Sequence, residues 1–255
     1  MERASAVTAF RPRRNLGVSL TPHGGQWGAQ LGLFGKSLGS QSPDHGGISL
    51  DMRMHAAPLL SDGETLHLGF NFRHRMLEDD GESFGSRGEA TRPEERLVRT
   101  PFIRDVDSFS TYGPEFYYQR DRFSLMAEWQ QNHVVRNAAA DLNHQGGYVA
   151  ALWSLTGEHR RYDAAAGTYR GISPDSPVTA GSAGAWEIGL RQSVLDLNDA
   201  DIRGGRVDST SLGLNWYPAD EVKLMVNYIY HELDASAAYP NRHLHYLLFR
   251  TQLKY

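Results

Sequence analysis

From Ser211 to the end of the chain, hydrophobic residues recur at every second position. Leu212, Leu214 and Trp216 alternate with Ser211, Gly213, Asn215 and Tyr217. After Pro218-Ala219-Asp220-Glu221, the run Val222, Leu224, Val226, Tyr228, Tyr230 alternates with Lys223, Met225, Asn227, Ile229 and His231. The last run sets Leu247, Phe249, Thr251, Leu253 and Tyr255 against Leu248, Arg250, Gln252 and Lys254. A period of two with one apolar and one largely polar face predicts strands that separate two solvents, here lipid and water.

The same pattern runs back through the chain. Leu16, Val18 and Leu20 lead through Pro22-His23-Gly24-Gly25 to Trp27, Ala29, Leu31 and Leu33; a loop over 36–46 leads to Ile48, Leu50, Met52 and Met54. Ser61-Asp62-Gly63-Glu64 turns into Leu66, Leu68, Phe70 and Phe72, which alternate with Thr65, His67, Gly69, Asn71 and Arg73. Residues 75–104 are Gly-, Glu- and Arg-rich, hold little that could pack and read as a long charged loop. Aromatic residues crowd 112–119, Arg120-Asp121-Arg122 turns into Phe123, Leu125, Ala127 and Trp129, and a long polar link follows over 136–146. Tyr148 to Leu155 is a more continuous apolar strand, Trp186, Ile188 and Leu190 mark the next, and 198–205 reads as a further long loop. About eleven strands result, the pattern of an all-β, up-and-down antiparallel transmembrane barrel in one domain over 1–255.

Loop lengths orient this barrel. With the C-terminus on the periplasmic side, the turns at Pro22 to Gly25, Ser61 to Glu64, Arg120 to Arg122 and Pro218 to Glu221 all fall on that side and most long links, 75–104 among them, fall outside. The link 157–184 is long yet counts as periplasmic: an unusual inner loop, or a hairpin that the alternation does not reveal. An odd strand count, and the absence of an apolar signal-peptide core in residues 1–14, predict a barrel incomplete at its N-terminus.

Composition narrows the class. With 26 basic and 30 acidic residues, the net charge of -4 leaves no basic excess for nucleic acid. No run of about 18 apolar residues forms a helical span, a test that is blind to barrels, and a mean hydropathy of -0.50 suits a wall with one wet face. The chain has no cysteine, hence no disulfide or thiolate metal site.

Several segments resemble the phosphate-selective porin O and P family: Gly184-Ala185-Trp186-Glu187, Leu195-Asp196-Leu197-Asn198-Asp199, Gly204-Gly205-Arg206, Leu212-Gly213-Leu214-Asn215-Trp216-Tyr217-Pro218 and Met225-Val226-Asn227-Tyr228. Thr156-Gly157-Glu158 with Tyr162, Pro174 and Pro177 is similar to the family's long link before the Gly-Ala-Trp-Glu strand, and Met1-Glu2-Arg3-Ala4 with Asn15-Leu16-Gly17-Val18 resembles an internal segment. The resemblance implies an outer-membrane porin of a Gram-negative bacterium, with barrels of about sixteen strands assembled as homotrimers. Basic residues lining a narrow water-filled pore would select small anions, phosphate or polyphosphate. It also implies that about five strands, a constricting loop and most of the phosphate site precede these residues. No cofactor or metal is implied.

Lumen-facing parity assigns the cations Arg53, Arg73, Arg191, Lys223, Arg250 and Lys254, and the anions Asp51, Glu128 and Glu187. Arginine suits phosphate because its planar fork donates two parallel hydrogen bonds and stays charged. Arg53 and Arg73, beside His55, His67 and Asn71, are the leading anion candidates; pairing across strands, which only shapes the wall, is the alternative for each. The terminal set Phe249, Leu253 and Tyr255 resembles the C-terminal signal read by the barrel-assembly machinery. Tyr112, Trp129, Trp186, Trp216, Tyr228 and Tyr230 would sit near the two interfaces with outer-membrane lipid.

Other classes have weaker support. No His-Glu-x-x-His motif supports a catalytic site, although His231, His243 and His245 lie on neighbouring strands where a metal cluster is conceivable. A general or otherwise selective porin, an outer-membrane hydrolase and a soluble β-sheet binding module are the alternatives, in that order.

Overall fold

A computed structural model of the protein describes residues 4–11, 15–37, 47–78, 81–89, 96–234 and 242–253. Eleven strands form one antiparallel sheet: β1 (Asn15–Leu20), β2 (Trp27–Ser37), β3 (Ile48–Ser61), β4 (Glu64–Met76), β5 (Val106–Arg120), β6 (Phe123–Arg136), β7 (Leu142–Ser154), β8 (Ala185–Asp199), β9 (Ile202–Ala219), β10 (Val222–Asp234) and β11 (Arg242–Leu253). Each strand pairs with its neighbours in sequence, so spatial order is chain order, and β1 and β11 are the two edges among the described residues. One short helix, α1 (Ser5–Ala9), precedes the sheet. No helix of the described residues is long and apolar enough to cross a membrane.

Turn chemistry fixes the register. Asp62-Gly63 closes β3 on β4 with Ser61 paired to Glu64, and Gly63 supplies the positive φ of 78° that such a two-residue turn needs. Asp121-Arg122 and Asp220-Glu221 close hairpins at the same end of the sheet, here the turn end. The ladder slips at Pro58 and near Pro218, where no N–H is available to donate.

At the opposite, loop end, two expected loops are shorter than the sequence implies. Over 198–205, β8 continues to Asp199 and β9 begins at Ile202, so the connection is the two-residue turn Ala200-Asp201; Asn198 Oδ1 accepts the Gly205 N–H across it at 2.9 Å. The link after β6 covers only 137–141. The long link before β8 adds no strand to the sheet: it carries a small ladder of its own, Tyr162–Asp163 against Thr168–Tyr169.

The alternation predicted for each strand is present. Leu68, Phe70, Leu190, Leu212, Leu247 and Phe249 stand exposed on the outer face, while Thr65, His67, Glu187, Ser211, Asn215 and Asn227 are buried on the inner one. Trp186 and Trp216 stack at 5.4 Å on the outer face near the turn end, and both indoles donate to the Ala183 carbonyl. The inner face is buried because segments of the chain fold onto it. At the loop end, Phe84, Val98 and Ile103 of the stretch 75–104 form the largest core cluster with Phe109, Val134, Leu142, Leu195, Leu197, Val207 and Leu233. That stretch was expected to hold little that could pack; its few apolar residues find an inner face that has itself turned apolar at this end.

Candidate pore-lining site

Two segments fold onto the inner face from opposite ends and leave a row of cavities between them. From the loop end, the described residues 81–89 and 96–105 lie over the inner face, with Glu89 reaching β8 and β9 on the far side of the sheet from β4. The carboxylate of Glu89, buried at 1% exposure, accepts hydrogen bonds from Arg191, Ser193 and Ser211 on β8 and β9. Two short ladders, Gly81–Glu82 with Ile103–Arg104 and Gly85–Ser86 with Val98–Arg99, stiffen the crossing. Helix α1 lies beside it, with Phe10 against Phe84 at 6.3 Å and the Thr8 hydroxyl 2.8 Å from that of Ser86.

From the turn end, residues 155–184 fold back under the same face. Arg53 donates to both oxygens of Glu115 at 2.7–3.1 Å and to the Ala166 and Gly167 carbonyls at 3.0 and 2.9 Å. His55 Nε2 lies 2.9 Å from the Ala164 carbonyl, and His67 Nδ1 lies 2.7 Å from the Tyr162 hydroxyl. Tyr117 stacks on Tyr169 at 4.4 Å, and Arg160 donates to both oxygens of Glu187 at 2.6 and 2.7 Å. Gly167, at φ 59°, lets the link pass the His55 ring, since a Cβ there would come within 2.4 Å of it. Within this link, burial pushes the Tyr162 hydroxyl up to about 12. The Ala166 N–H and then Arg170 hold the Asp163 carboxyl below its ordinary range.

Three spaces lie along the inner face, neighbouring ones sharing lining residues. The first, of about 190 Å³ at the loop end, is lined by Arg11, Arg73, Arg75 and Arg96, with Glu82 as the carboxylate in its described lining. It shares Phe10, Arg11, Asn15 and Arg73 with a chamber of about 600 Å³ over β2 to β6, where Asp51, Glu115 and Glu128 join the arginines. Arg53 and Gln30 line both this chamber and a third space of about 420 Å³ at the turn end, beside His23, His55 and Asp163. Arg53 therefore borders both of the last two.

The sequence-predicted cations separate by position. Arg53 and Arg73 meet on the chamber, Arg73 with its Nε 3.4 Å from Asp51 and its guanidinium 5.8 Å from the Phe109 ring. Arg191 is buried with Glu89 under the crossing loop. Lys223 lies 5.2 Å over the Tyr217 ring, and Arg250 is exposed on the inner-parity side of β11. Phe249 and Leu253 point outward from β11; Lys254 and Tyr255 lie outside the described residues. His231 is on the inner face, bonded to Ser209, whereas His243 and His245 are on the outer face against Tyr230 and Tyr228. The three do not converge. Sequence reasoning passed over Glu115, hidden in an aromatic run, over Arg75, which continues the inner parity of Arg73 at the end of β4, and over Arg11, Arg96, Glu89 and Arg160, whose place on the inner face depends on how the segments outside the main alternation fold.

An antiparallel sheet with an apolar outer face, a polar inner face and charged spaces along that inner face is the pattern of strands that separate lipid from water. The chain matches the model of the family "Phosphate-selective porin O and P" over residues 1–255, and it belongs to that family of outer-membrane, non-enzymatic channels. An uncharacterized protein of Caulobacter vibrioides is 32% identical over 243 residues, covering 89% of this chain and 48% of that protein. Porin O of Pseudomonas aeruginosa is 27% identical over 201 residues, covering 68% of this chain and 45% of that protein. The chain thus spans about half the length of the curated relatives it matches. Family membership implies that the sheet is part of a β-barrel.

Proposed function

We propose that the chain forms wall and constriction of a water-filled outer-membrane channel through which small anions, phosphate among them, diffuse with transient binding. The observation that carries this is the convergence of Arg11, Arg73, Arg75 and Arg96 on one small space that shares Arg11 and Arg73 with the larger chamber. Guanidinium groups gathered in a partly dry cleft raise the local concentration of anions and give phosphate oxygens paired donors. In this reading the turn end is periplasmic and the loop end extracellular, and the eleven strands belong to a barrel of about sixteen in a homotrimer. The outward-facing Phe249 and Leu253, with Tyr255, serve the barrel-assembly machinery. A second reading, a general porin, is favoured by the pairing of Arg53 with Glu115, Arg160 with Glu187 and Arg191 with Glu89, which cancels much of the inner-face charge.

Titration of single-channel current with phosphate separates the two. Phosphate added to the refolded protein in planar bilayers should reduce chloride current saturably, and Arg73→Gln with Arg75→Gln should weaken that block about tenfold or more. Current that is indifferent to phosphate in the unsubstituted protein would leave the general porin standing.

A further inference from the structure

The chamber over β2 to β6 carries charge of both signs, with Asp51 paired to Arg73 at the loop-end side and Glu115 and Glu128 turnward of them. Arg73 pairs in register with Thr111, and Arg11 opens onto the same loop-end side. Four residues further along β5 lies Glu115, about 13 Å turnward at a strand's rise of about 3.3 Å per residue. Glu115 is the register partner of Glu128 on β6, so two carboxylates face each other across one strand pair. Like charges in that position repel and weaken the pairing unless a cation intervenes.

Arg53 is that cation for one of them only. It grips Glu115 through both oxygens, while Glu128 accepts a hydrogen bond from the neutral Tyr148 hydroxyl at 2.5 Å. Arg53 offsets one of the two carboxylates, which leaves the negative charge of the second turnward of Arg11 and Arg73 in the same space. A simple anion held at the arginine end leaves that negative charge unmatched. A solute with an anionic head and an ammonium group a few bonds away matches both ends.

We propose that the chamber binds and passes small zwitterions, molecules bearing a phosphate or carboxylate together with an ammonium, with the anionic head toward Arg11 and Arg73 and the ammonium at Glu128. The proposal rests on the anion reading above for its first half and adds the second. It assigns Glu128 as the residue that distinguishes an amino-bearing solute from the corresponding plain anion.

Two probes that differ only in the amine test it: 2-aminoethyl phosphate and ethyl phosphate, titrated by calorimetry into the refolded full chain in detergent. The expected result is binding of 2-aminoethyl phosphate about tenfold tighter than ethyl phosphate, the worth of one charge-assisted hydrogen bond. Glu128→Gln should erase that advantage without weakening ethyl phosphate. Equal binding of both probes by the unsubstituted chain overturns the inference and leaves the anion reading intact; this comparison needs no variant to fold. An advantage that persists in Glu128→Gln also overturns it, because the ammonium site is then elsewhere. Binding of neither probe overturns the anion reading itself.

Discussion

Glu89 is the pin that holds the crossing segment 77–105 against the far wall, and its removal has a calculable cost. Its carboxylate is fully enclosed and Arg191 is only 6% exposed, so the pair belongs to the buried regime rather than to that of surface ion pairs, which are worth about 1 kcal/mol or less. Glu89→Ala would strand the Arg191 guanidinium and leave the Ser193 and Ser211 hydroxyls without their acceptor. Breaking a buried pair from one side costs about 3–5 kcal/mol. The segment's own ladders report on it, since the Leu97 and Thr100 amides donate to the Ser86 and Phe84 carbonyls at 2.9 Å. At about 1.4 kcal/mol per decade, their hydrogen exchange should accelerate by about a hundredfold to a few thousandfold in the variant. Adding Arg191→Met should recover most of the loss, because the charge left behind, not the absent contact, dominates the cost. Acceleration of less than about fivefold, or no recovery in the double variant, would refute the idea that this buried pair holds the segment in place.

Three further outcomes follow from the same geometry. Arg53→Ala should leave Glu115 facing Glu128 without a counter-charge and release the Ala166 and Gly167 carbonyls; at 29% and 16% side-chain exposure the pair is half-screened, so urea titration in detergent should show a loss of about 1–2 kcal/mol. Gly113→Ala should be far less tolerable than an ordinary strand substitution, because its Cβ would fall 1.8 Å from the Trp129 carbonyl oxygen, and the same titration should show at least about 3 kcal/mol lost. The lowered Asp163 carboxyl stabilises its small hairpin above the ordinary carboxylate value of 3.8, and that contribution disappears as pH falls through the still lower folded value. An NMR titration of Asp163 should therefore give a midpoint below 3.8, and Arg170→Ala should raise it toward that value.

The strands were legible in the sequence because each lies between two solvents along most of its length, so parity alone sorts Leu66, Leu68 and Phe70 from Thr65, His67 and Asn71. Legibility fails where that contrast ends. Around Ala200-Asp201, Asn198 and Asp199 read as loop although the ladder continues through them to Arg203 and Ile202, and Gly204 and Gly205 sit at an irregularity of that ladder. At the loop end the inner face carries Leu195, Leu197, Val207 and Leu233. These residues break the alternation, and they do so because Phe84, Val98 and Ile103 arrive from 77–105 to cover them; in sequence the break is visible, its partner is not. The link 157–184 was recognisable as anomalous by length alone. Its anchoring by Arg53, His55 and His67 was not, since backbone carbonyls at Ala164, Ala166 and Gly167 carry no sequence signal as acceptors.

Arg53 and Arg73 were found on one surface as parity predicts, yet parity could not tell a charge that faces the chamber from one already committed. Arg53 spends donors on a carboxylate and two carbonyls, and Arg191 is spent on Glu89. Arg75 completes the basic space from the end of β4, while Arg11 and Arg96 reach it from segments with no alternation to read.

The central claim is that this inner face walls a pore whose arginine cluster favours anions. Reversal potential in a potassium chloride gradient across a planar bilayer holding the refolded protein tests it most directly. Discrete steps with a potential displaced toward the chloride equilibrium value, and displaced less after Arg73→Gln with Arg75→Gln, are the predicted result. Discrete steps with a potential at zero or on the potassium side would contradict the claim, and β-structured protein that gives no steps would assign the pore to a longer form of the chain.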